Sequence, residues 1–464
     1  MEQVVQIEPT LFREYDIRGI VDQDLTPQTI QWIGQAFGTY LKNKKISDCV
    51  VGFDARSYSE KVSKDLIQGL LKTGVNVISI GTCLTPMLYF AQFNLNISAG
   101  VMVTASHNPN GWTGFKLSYT PGLTLGTEEI QELHQMILNQ NFVFGKGIEK
   151  QKSITEPYIK ELVQKIKLKQ KPKIVVNTRN GTAALFAPEL FKLAGCQVIE
   201  QFCSLDTLFP NGNPNPSLQD MLEETGKKVI HEKADLGFAF DGDGDRLGIV
   251  DSKGNPIYAD KIACVLSQHI LKKQPYASIV FDVKCSQALP DVIAQSKGIP
   301  VMWKTGHSHI KHKAKEIKAA FAAERSGHFF FFDRYYGYDD ALYTGLRVLE
   351  VLESEKKSLH ELIQQLPHYV TAPVYAVTCR DTVKYQVVEK MVKNLKQKFP
   401  KVNDINGARV EFPDGFMLVR ASSNEPILVL VFEAKSEKRL EEFKTIMKTE
   451  LSQYPEIGKE WHYN

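Results

Sequence analysis

Val103-Thr104-Ala105-Ser106-His107-Asn108-Pro109-Asn110 closes an apolar run and opens a turn, and its reading decides the architecture. Residues 97–103 are small or β-branched, as expected of a buried strand. His107 to Gly111 are strong turn formers, so Ser106 is expected to sit exposed where strand becomes loop. A serine hydroxyl is a weak nucleophile until a base, a charge or a metal activates it. A partner stands far downstream in Asp241-Gly242-Asp243-Gly244-Asp245-Arg246. Three carboxylates at alternate positions, with glycines that let the backbone curl, make an oxygen cage suited to a hard divalent cation. Serine and cage together point to phosphoryl chemistry.

Other uses of the acidic loop fit less well. An EF-hand needs glycine at its sixth position and glutamate at its twelfth, where this chain has Arg246 and Ser252. Phosphatases of the haloacid-dehalogenase type place Thr or Val where Asp245 stands. A plain acidic β-turn would pack too many ionisable groups together without a counter-ion. Two further clusters make sense only with a phosphorylated ligand. Arg420-Ala421-Ser422-Ser423-Asn424-Glu425-Pro426 offers a guanidinium, two hydroxyls and an amide, a set suited to a phosphate dianion. Glu324-Arg325-Ser326-Gly327-His328 interrupts an apolar context with groups that can hydrogen-bond sugar hydroxyls. His307, His309 and His312 lack a metal-site pattern and are crowded by Lys304, Lys311 and Lys313, so His309 and His312 read as solvated helix positions.

Around these motifs, short β-rich runs alternate with helical patterns. Residues 48–54 read as a buried strand, 59–73 as an amphipathic helix and 75–80 as the next strand, a βαβ rhythm. The rhythm restarts at 173–177, with a helix over 183–194 and a strand over 196–199. It restarts again at 278–282, followed by a helix over 288–296 and a strand over 299–303. Three copies of one unit suggest repeated α/β domains. After Pro373 the texture changes. Strand-like runs over 374–378, 415–419 and 427–434, with helices over 382–399 and 437–451, suggest a smaller α+β domain. Joints are expected near 144–152, 251–256 and 366–373.

Bulk composition excludes several classes. A chain of 464 residues exceeds a single hydrophobic core. A net charge of +3 gives no field suited to gripping nucleic acid, and the basic clusters at 165–173 and 311–318 read as solvated helix faces. Seven scattered cysteines, never in a CxxC pair, argue against a disulfide framework or a zinc site and suit a reducing cytosol. Residues 1–9 carry Glu2 and Glu8 and no apolar core, so no signal peptide is expected. No run approaches the roughly 18 apolar residues of a membrane span.

TASHNPN at 104–110, DGDGDR at 241–246, ERSGH at 324–328 and RASSNEP at 420–426, with FREYDIRG at 12–19, resemble the α-D-phosphohexomutases in order and spacing. The resemblance spans the whole chain and looks closest to the bacterial phosphomannomutase/phosphoglucomutase branch. It implies an α/β fold of four domains around a central cleft. Three similar mixed α/β domains precede a smaller α+β C-terminal domain of the TATA-box-binding-protein-like type. The expected divisions are 1–150 with a phosphoserine loop, 151–254 with a metal loop, 255–367 with a sugar loop and 368–464 with a phosphate loop.

The resemblance also implies roles. Ser106 carries the phosphoryl group, and Asp241, Asp243 and Asp245 hold one Mg²⁺ beside it. Arg246 adds charge near that group, and Lys116 and His307 serve acid–base work or charge stabilisation. Tyr15, Arg18 and His107 surround the serine. Glu324 and Ser326 contact sugar hydroxyls, while Arg420, Ser422, Ser423 and Asn424 clamp the distal phosphate. The implied reaction interconverts hexose 6-phosphate and hexose 1-phosphate, of mannose or glucose, through a hexose 1,6-bisphosphate that is also the activator. The expected partner is a small phosphosugar, with no nucleic acid and no membrane, in the cytoplasm; the oligomeric state is open, a monomer included. The alternatives are a phosphoglucosamine mutase, whose sugar loop typically has glutamine where Arg325 stands, a Mg²⁺-dependent sugar-phosphate phosphatase and a non-catalytic binder. The chain departs from the family pattern at Ala323, usually glycine, at Asn177, often aspartate, and at Ser423 to Glu425.

Overall fold

The computed structural model describes residues 7–423 and 425–463, in two packing units: Met1–Ala259 with Ser326–Leu362, and Asp260–Arg325 with Ile363–Asn464. The first unit contains two sheets. One comprises β1 (Ile17–Ile20), β2 (Asp48–Phe53), β3 (Asn76–Thr82), β4 (Ala99–Val103), β5 (Trp112–Thr120), β6 (Leu123–Thr124) and β7 (Glu149–Gln151). Its order is β1-β5-β4-β2-β3-β7, with β6 hydrogen-bonded to β5. The other comprises β8 (Lys173–Asn177), β9 (Gln197–Gln201), β10 (Leu236–Phe240), β11 (Leu247–Val250) and β12 (Pro256–Ile257), in the order β12-β11-β10-β8-β9.

The two sheets share one plan. β2 pairs in parallel with β3 and β4, and β4 meets β5 antiparallel. Likewise β8 pairs in parallel with β9 and β10, and β10 meets β11 antiparallel. In the second unit, β13 (Ser278–Asp282) pairs in parallel with β14 (Ile299–Trp303) and β15 (Phe321–Ala323). Every residue of β4, β10 and β15 is buried, which explains their continuous apolar runs. The same place in each repeat carries one of the polar motifs. Residues 104–110 follow β4, residues 241–246 follow β10 and residues 324–328 follow β15. These are the carboxyl ends of parallel strands, where open α/β sheets carry ligands.

Segment Ser326–Leu362 returns to the first unit with β16 (Phe329–Phe331) and the helix Ala341–Glu355. The rest of the second unit is an antiparallel sheet. It comprises β17 (Val370–Thr371), β18 (Tyr375–Thr378), β19 (Val402–Asn403), β20 (Ala408–Phe412), β21 (Gly415–Ala421), β22 (Ile427–Ala434) and β23 (His462–Tyr463). Its order is β19-β20-β21-β22-β18-β23, with β17 on β22. Met391 and Leu395 of the helix Lys384–Lys398, and Phe443 and Met447 of the helix Glu437–Leu451, fill its core. On the other face Phe416, Leu418, Val429 and Val431 pack with Val283 and Met302. Arg409 pins that contact. Fully buried, it stacks 3.4 Å from the Phe416 ring centre and donates to the carbonyls of Val283 (2.6 Å) and Cys285 (2.9 Å).

Some local expectations need correction. The helix over 183–194 is split into a 3-10 turn at Thr182–Leu185 and a helix at Ala187–Leu193, because Pro188 lacks an N–H and fits only a first turn. The basic run after Lys165 is a loop, the helix having ended there. Lys311 is buried rather than solvated, since the helix His307–Glu316 packs its 307, 310, 311 and 314 positions against β13 and β15. The joint over 366–373 contains β17 and so is stitched to β22.

One carboxylate organises the returning segment of the first unit. Asp340 caps the helix Ala341–Glu355 by accepting from Tyr343 N (2.9 Å), and it accepts from the hydroxyls of Tyr158 (2.9 Å) and Tyr335 (2.8 Å). Burial pushes its carboxyl up to about 6, although the donated hydrogen bonds pull the other way. A free aspartate titrates near 4, so the folded protein holds an extra proton between the two values. The stability this proton contributes is present below about pH 4 and is lost as pH rises through about 6, a change of about 2–3 kcal/mol. Urea unfolding of wild type and Asp340→Asn from pH 4 to 7 should show the wild-type advantage shrinking over that window. A difference that is flat with pH would contradict the assignment.

Candidate active site

The chain leaves β4 into a turn held from several sides. Thr104 N donates to Gly114 O (3.0 Å), and Thr104 Oγ1 accepts from Ser106 N (2.8 Å). Ser106 has a left-handed backbone, φ 52°, which a side-chain-bearing residue keeps only when its neighbours enforce it. Arg56 does much of the enforcing. Its Nη2 donates to Ser106 O (2.9 Å) and Asn108 O (2.7 Å), and its Nη1 to Pro109 O (3.1 Å). Asp54 anchors it at Nε (3.3 Å), and its cation lies 5.1 Å from the Phe209 ring centre.

Ser106 is only 2% exposed, against the expected open loop, because the acidic loop packs directly on it. A Cβ at Gly242 would lie 2.3 Å from Ser106 O, so only glycine permits the approach. Asn213 closes the other side by donating to His107 O. As a result Ser106 Oγ donates to Asp241 Oδ2 (3.1 Å) and stands 3.1 Å from His107 Nδ1.

Asp241, Asp243 and Asp245 are all buried. Asp241 Oδ1 accepts from the backbone of Asp245 (3.1 Å) and Arg246 (3.2 Å). Lys116 Nζ, reaching over from β5, lies 2.7 Å from Asp243 Oδ2 and 2.5 Å from Asp245 Oδ2. Thr85 Oγ1 donates to Asp243 Oδ2 (2.5 Å). Three buried carboxylates are in direct contact with one buried ammonium, and Arg246 adds positive charge at longer range. Burial, then Asp245 and Asp243, push the Asp241 carboxyl well above the usual range. Burial opposes ionisation of Asp243 and Asp245 too, but both lie below that range because Lys116 acts together with Thr85 at Asp243 and with His328 and Arg246 at Asp245. Burial pushes the Lys116 ammonium down, but Asp243 and Asp245 raise it well above its usual range.

This arrangement fits a hard cation. One oxygen from each aspartate lies within 4.8 Å of the other two. Asp243 Oδ1 and Asp245 Oδ1 are buried and have no hydrogen-bond partner among the described residues. A further positive charge is what the cluster lacks.

Segment 326–341 braces the acidic loop from its far side. Ala341 N donates to Gly244 O (3.2 Å) and Leu247 N to Gly327 O (3.0 Å). Arg246 Nε donates to His328 Nε2 (2.9 Å), and His328 Nδ1 lies 2.9 Å from Asp339 Oδ2. The arginine N–H makes Nε2 the accepting nitrogen of this ring. Arg18 donates Nε (3.0 Å) and Nη2 (2.7 Å) to Asp16 Oδ2 and Nη1 to Asn108 Oδ1. Burial, then Arg246 and Arg18, push the His107 imidazole well below its usual range and keep it neutral. Tyr15 is buried nearby in sequence.

The second unit holds the remaining candidates. Glu324 Oε1 accepts from Gly306 N (2.7 Å), next to the buried His307 at the start of its helix. Arg325 is turned inward, donating to Asp260 Oδ2 (3.3 Å) and Lys284 O (3.2 Å). Arg420 is buried on β21, Ser422 N donates to Ile427 O (3.0 Å), and Ser422 Oγ accepts from Glu425 N (3.3 Å). Ser423 is half-buried in the same turn, and Asn424 lies outside the described residues. Ser326 is half-buried in the turn after β15, within the first unit.

Profiles of the Phosphoglucomutase/phosphomannomutase alpha/beta/alpha domains I, II and III match residues 9–144, 156–254 and 258–369, and the profile of its C-terminal domain matches 377–449. The chain belongs to the phosphoglucomutase/phosphomannomutase family. It is a hexose-phosphate mutase, an isomerase. A phosphomannomutase/phosphoglucomutase from Pseudomonas syringae pv. tomato is 40% identical over 442 residues, 95% of either chain. A Neisseria gonorrhoeae phosphoglucomutase is 37% identical over 98% of this chain and 99% of its own. A solved phosphoglucomutase/phosphomannomutase family protein from Burkholderia thailandensis superposes with a TM-score of 0.91 at 36% identity, covering 97% of this chain and 98% of that one. No helix among the described residues is long and apolar enough to cross a membrane.

Sequence reasoning passed over Arg56, Thr85, Asn213, His328 and Asp339. The first had a signal, since Asp54-Ala55-Arg56 directly follows a parallel strand; His328 stood unassigned within a quoted motif. For this mutase, the close approach at Gly242 yields a test. Gly242→Ala should push the serine and acidic loops apart and lower kcat/KM about 100-fold while far-UV circular dichroism is unchanged. Near wild-type turnover would show that the contact does not set the reactive geometry.

Proposed function

We propose that this mutase interconverts the 6- and 1-phosphates of mannose and glucose through phosphorylated Ser106 and a hexose 1,6-bisphosphate, with Mg²⁺ at Asp241, Asp243 and Asp245. The observation that carries this reading is the contact of Ser106 Oγ with Asp241 (3.1 Å) inside a buried, under-neutralised acidic cluster. The names of relatives at 37–40% identity, which cover both sugars, support it. Seven free thiols suit the cytoplasm.

In the forward step the P–Oγ bond of phosphoserine breaks and a bond from phosphorus to a sugar hydroxyl oxygen forms. That hydroxyl gives up its proton, and Ser106 Oγ leaves as a hydroxyl by gaining one, with His107 Nδ1 placed 3.1 Å away to hand it over. Bound Mg²⁺ supplies charge neutralisation for the phosphoryl oxygens. Lys116, fixed as an ammonium, and Arg246, oriented by His328, add protein charge to the same end. Arg56 and Thr104 keep Oγ pointed, which replaces an orientational search by a fixed geometry. When the opposite phosphate returns, Ser106 Oγ–H must give up its proton. His107 Nδ1, neutral and 3.1 Å away, is placed to take it. The non-reacting phosphate is assigned to Arg420, Ser422, Ser423 and Asn424, the sugar hydroxyls to Glu324 and Ser326, and charge near the reacting oxygen to His307. Arg18 and Tyr15 complete the serine surroundings.

Mannose 1-phosphate, glucose 1-phosphate and glucosamine 1-phosphate should be assayed side by side while inorganic phosphate is followed. The first two should convert without phosphate release. Stoichiometric phosphate release would make the protein a phosphatase, and a preference for the amino sugar would reassign its substrate. Asp243→Asn should lower kcat/KM by about 100-fold or more, close to 3 kcal/mol of transition-state stabilisation. Arg420→Ala should raise KM and make turnover depend more on added hexose 1,6-bisphosphate; an unchanged KM and unchanged activator dependence would remove the clamp from this account.

A further inference from the structure

Two loops of the second unit share a single acceptor. Asn406, half-buried between β19 and β20, accepts at Oδ1 from Arg420 Nε (2.9 Å) and from the backbone N–H of Thr305 (3.3 Å). Its loop is shaped for this position. Ile405 N donates to Asn403 Oδ1 (3.0 Å), and Gly407 turns with φ 89°. A Cβ at Gly407 would lie 2.3 Å from Val419 O and 2.7 Å from Arg420 Cβ, so the missing side chain lets the loop lie on β21 beside the arginine.

From Thr305 the bonds run on into the sugar loop. Thr305 Oγ1 donates to Asp282 Oδ2 (2.9 Å), and Asp282 Oδ1 accepts from Arg325 N (3.1 Å). The next residue, Gly306, donates its N–H to Glu324 Oε1 (2.7 Å). One chain of hydrogen bonds therefore links Arg420, Asn406, the 305–306 turn and Glu324.

We propose that Asn406 is a positioning residue that sets the guanidinium plane of Arg420 for a phosphate dianion and keeps it in register with the Glu324 turn. The proposal rests on the reading of Arg420 as a phosphate clamp. A guanidinium grips phosphate through a planar fork, so its value depends on orientation. Holding Nε before the ligand arrives removes rotamer freedom that binding would otherwise have to remove. Tying that hold to the Glu324 turn makes the unit respond to the spacing between phosphate and sugar hydroxyls, not to either group alone.

Initial rates with glucose 1-phosphate, at saturating hexose 1,6-bisphosphate, should be compared for wild type, Arg420→Ala, Asn406→Ala, Asn406→Leu and Asn406→Ala/Arg420→Ala. Leucine keeps most of the side-chain volume and removes the acceptor, so it guards against a loop that fails to fold. Each Asn406 variant should raise KM about tenfold and change kcat by less than about threefold. On the Arg420→Ala background, losing Asn406 should change KM by less than about twofold, since the two act as one. Wild-type KM in both Asn406 variants, with a raised KM in Arg420→Ala, would overturn the positioning role and leave the clamp standing. Additive losses in the double variant would also overturn it. Wild-type KM in Arg420→Ala would remove the clamp and this proposal together.

Discussion

Three carboxylates buried within one loop cannot all carry charge unless cations meet them there, and much of the first unit is arranged around that constraint. Lys116 neutralises two of them by direct contact, at 2.7 and 2.5 Å, and remains charged because of them. Asp241 is left with the electrostatic cost, and its carboxyl is pushed well above the usual range by burial and by its two like-charged neighbours. It is also the carboxylate that Ser106 touches. Ser106 is therefore joined to the member of the cluster that Lys116 does not touch. A divalent cation at this place would relieve the imbalance and lie beside the hydroxyl at once.

The topology makes such a meeting possible without a dedicated scaffold. In the first unit each repeat reverses after its third parallel strand, and each reversal carries a different group, a hydroxyl after β4 and carboxylates after β10; in the second unit Glu324 follows the third parallel strand, β15. In the first unit the hydroxyl and carboxylate turns are pressed together, because Gly242 adds no side chain at the contact. The price is backbone strain at Ser106, offset by Arg56, which gathers three consecutive-region carbonyls under one guanidinium.

Local patterns in the chain carried much of this. The β-branched run before Ser106 and the apolar run before Asp241 are strands, and the helix expected over 437–451 has those bounds in the structure. Such features depend on neighbours in sequence, where periodicity and turn chemistry act. What escaped depends on distant partners. Ser106 is buried by a loop 136 positions away at Gly242. Asp339 matters only because His328 and Arg246 lie in line with it, and nothing around Asp339 in sequence announces that. Lys311 belongs to a run of lysines that reads as a wet face, yet packing of its helix on β13 and β15 takes it inside. Arg56 lies between these cases, flagged by its place after a parallel strand but given its role by carbonyls from another turn.

The central claim is that one hydroxyl, Ser106, passes the phosphoryl group to and from the sugar. The most direct measurement is to incubate the purified protein with ³²P-labelled glucose 1,6-bisphosphate and Mg²⁺, digest it, and locate the label by peptide mapping. Label is expected on the peptide containing Ser106, chased off by unlabelled glucose 6-phosphate as labelled bisphosphate appears. Label on any other residue, or label on Ser106 that leaves only as inorganic phosphate, would contradict it.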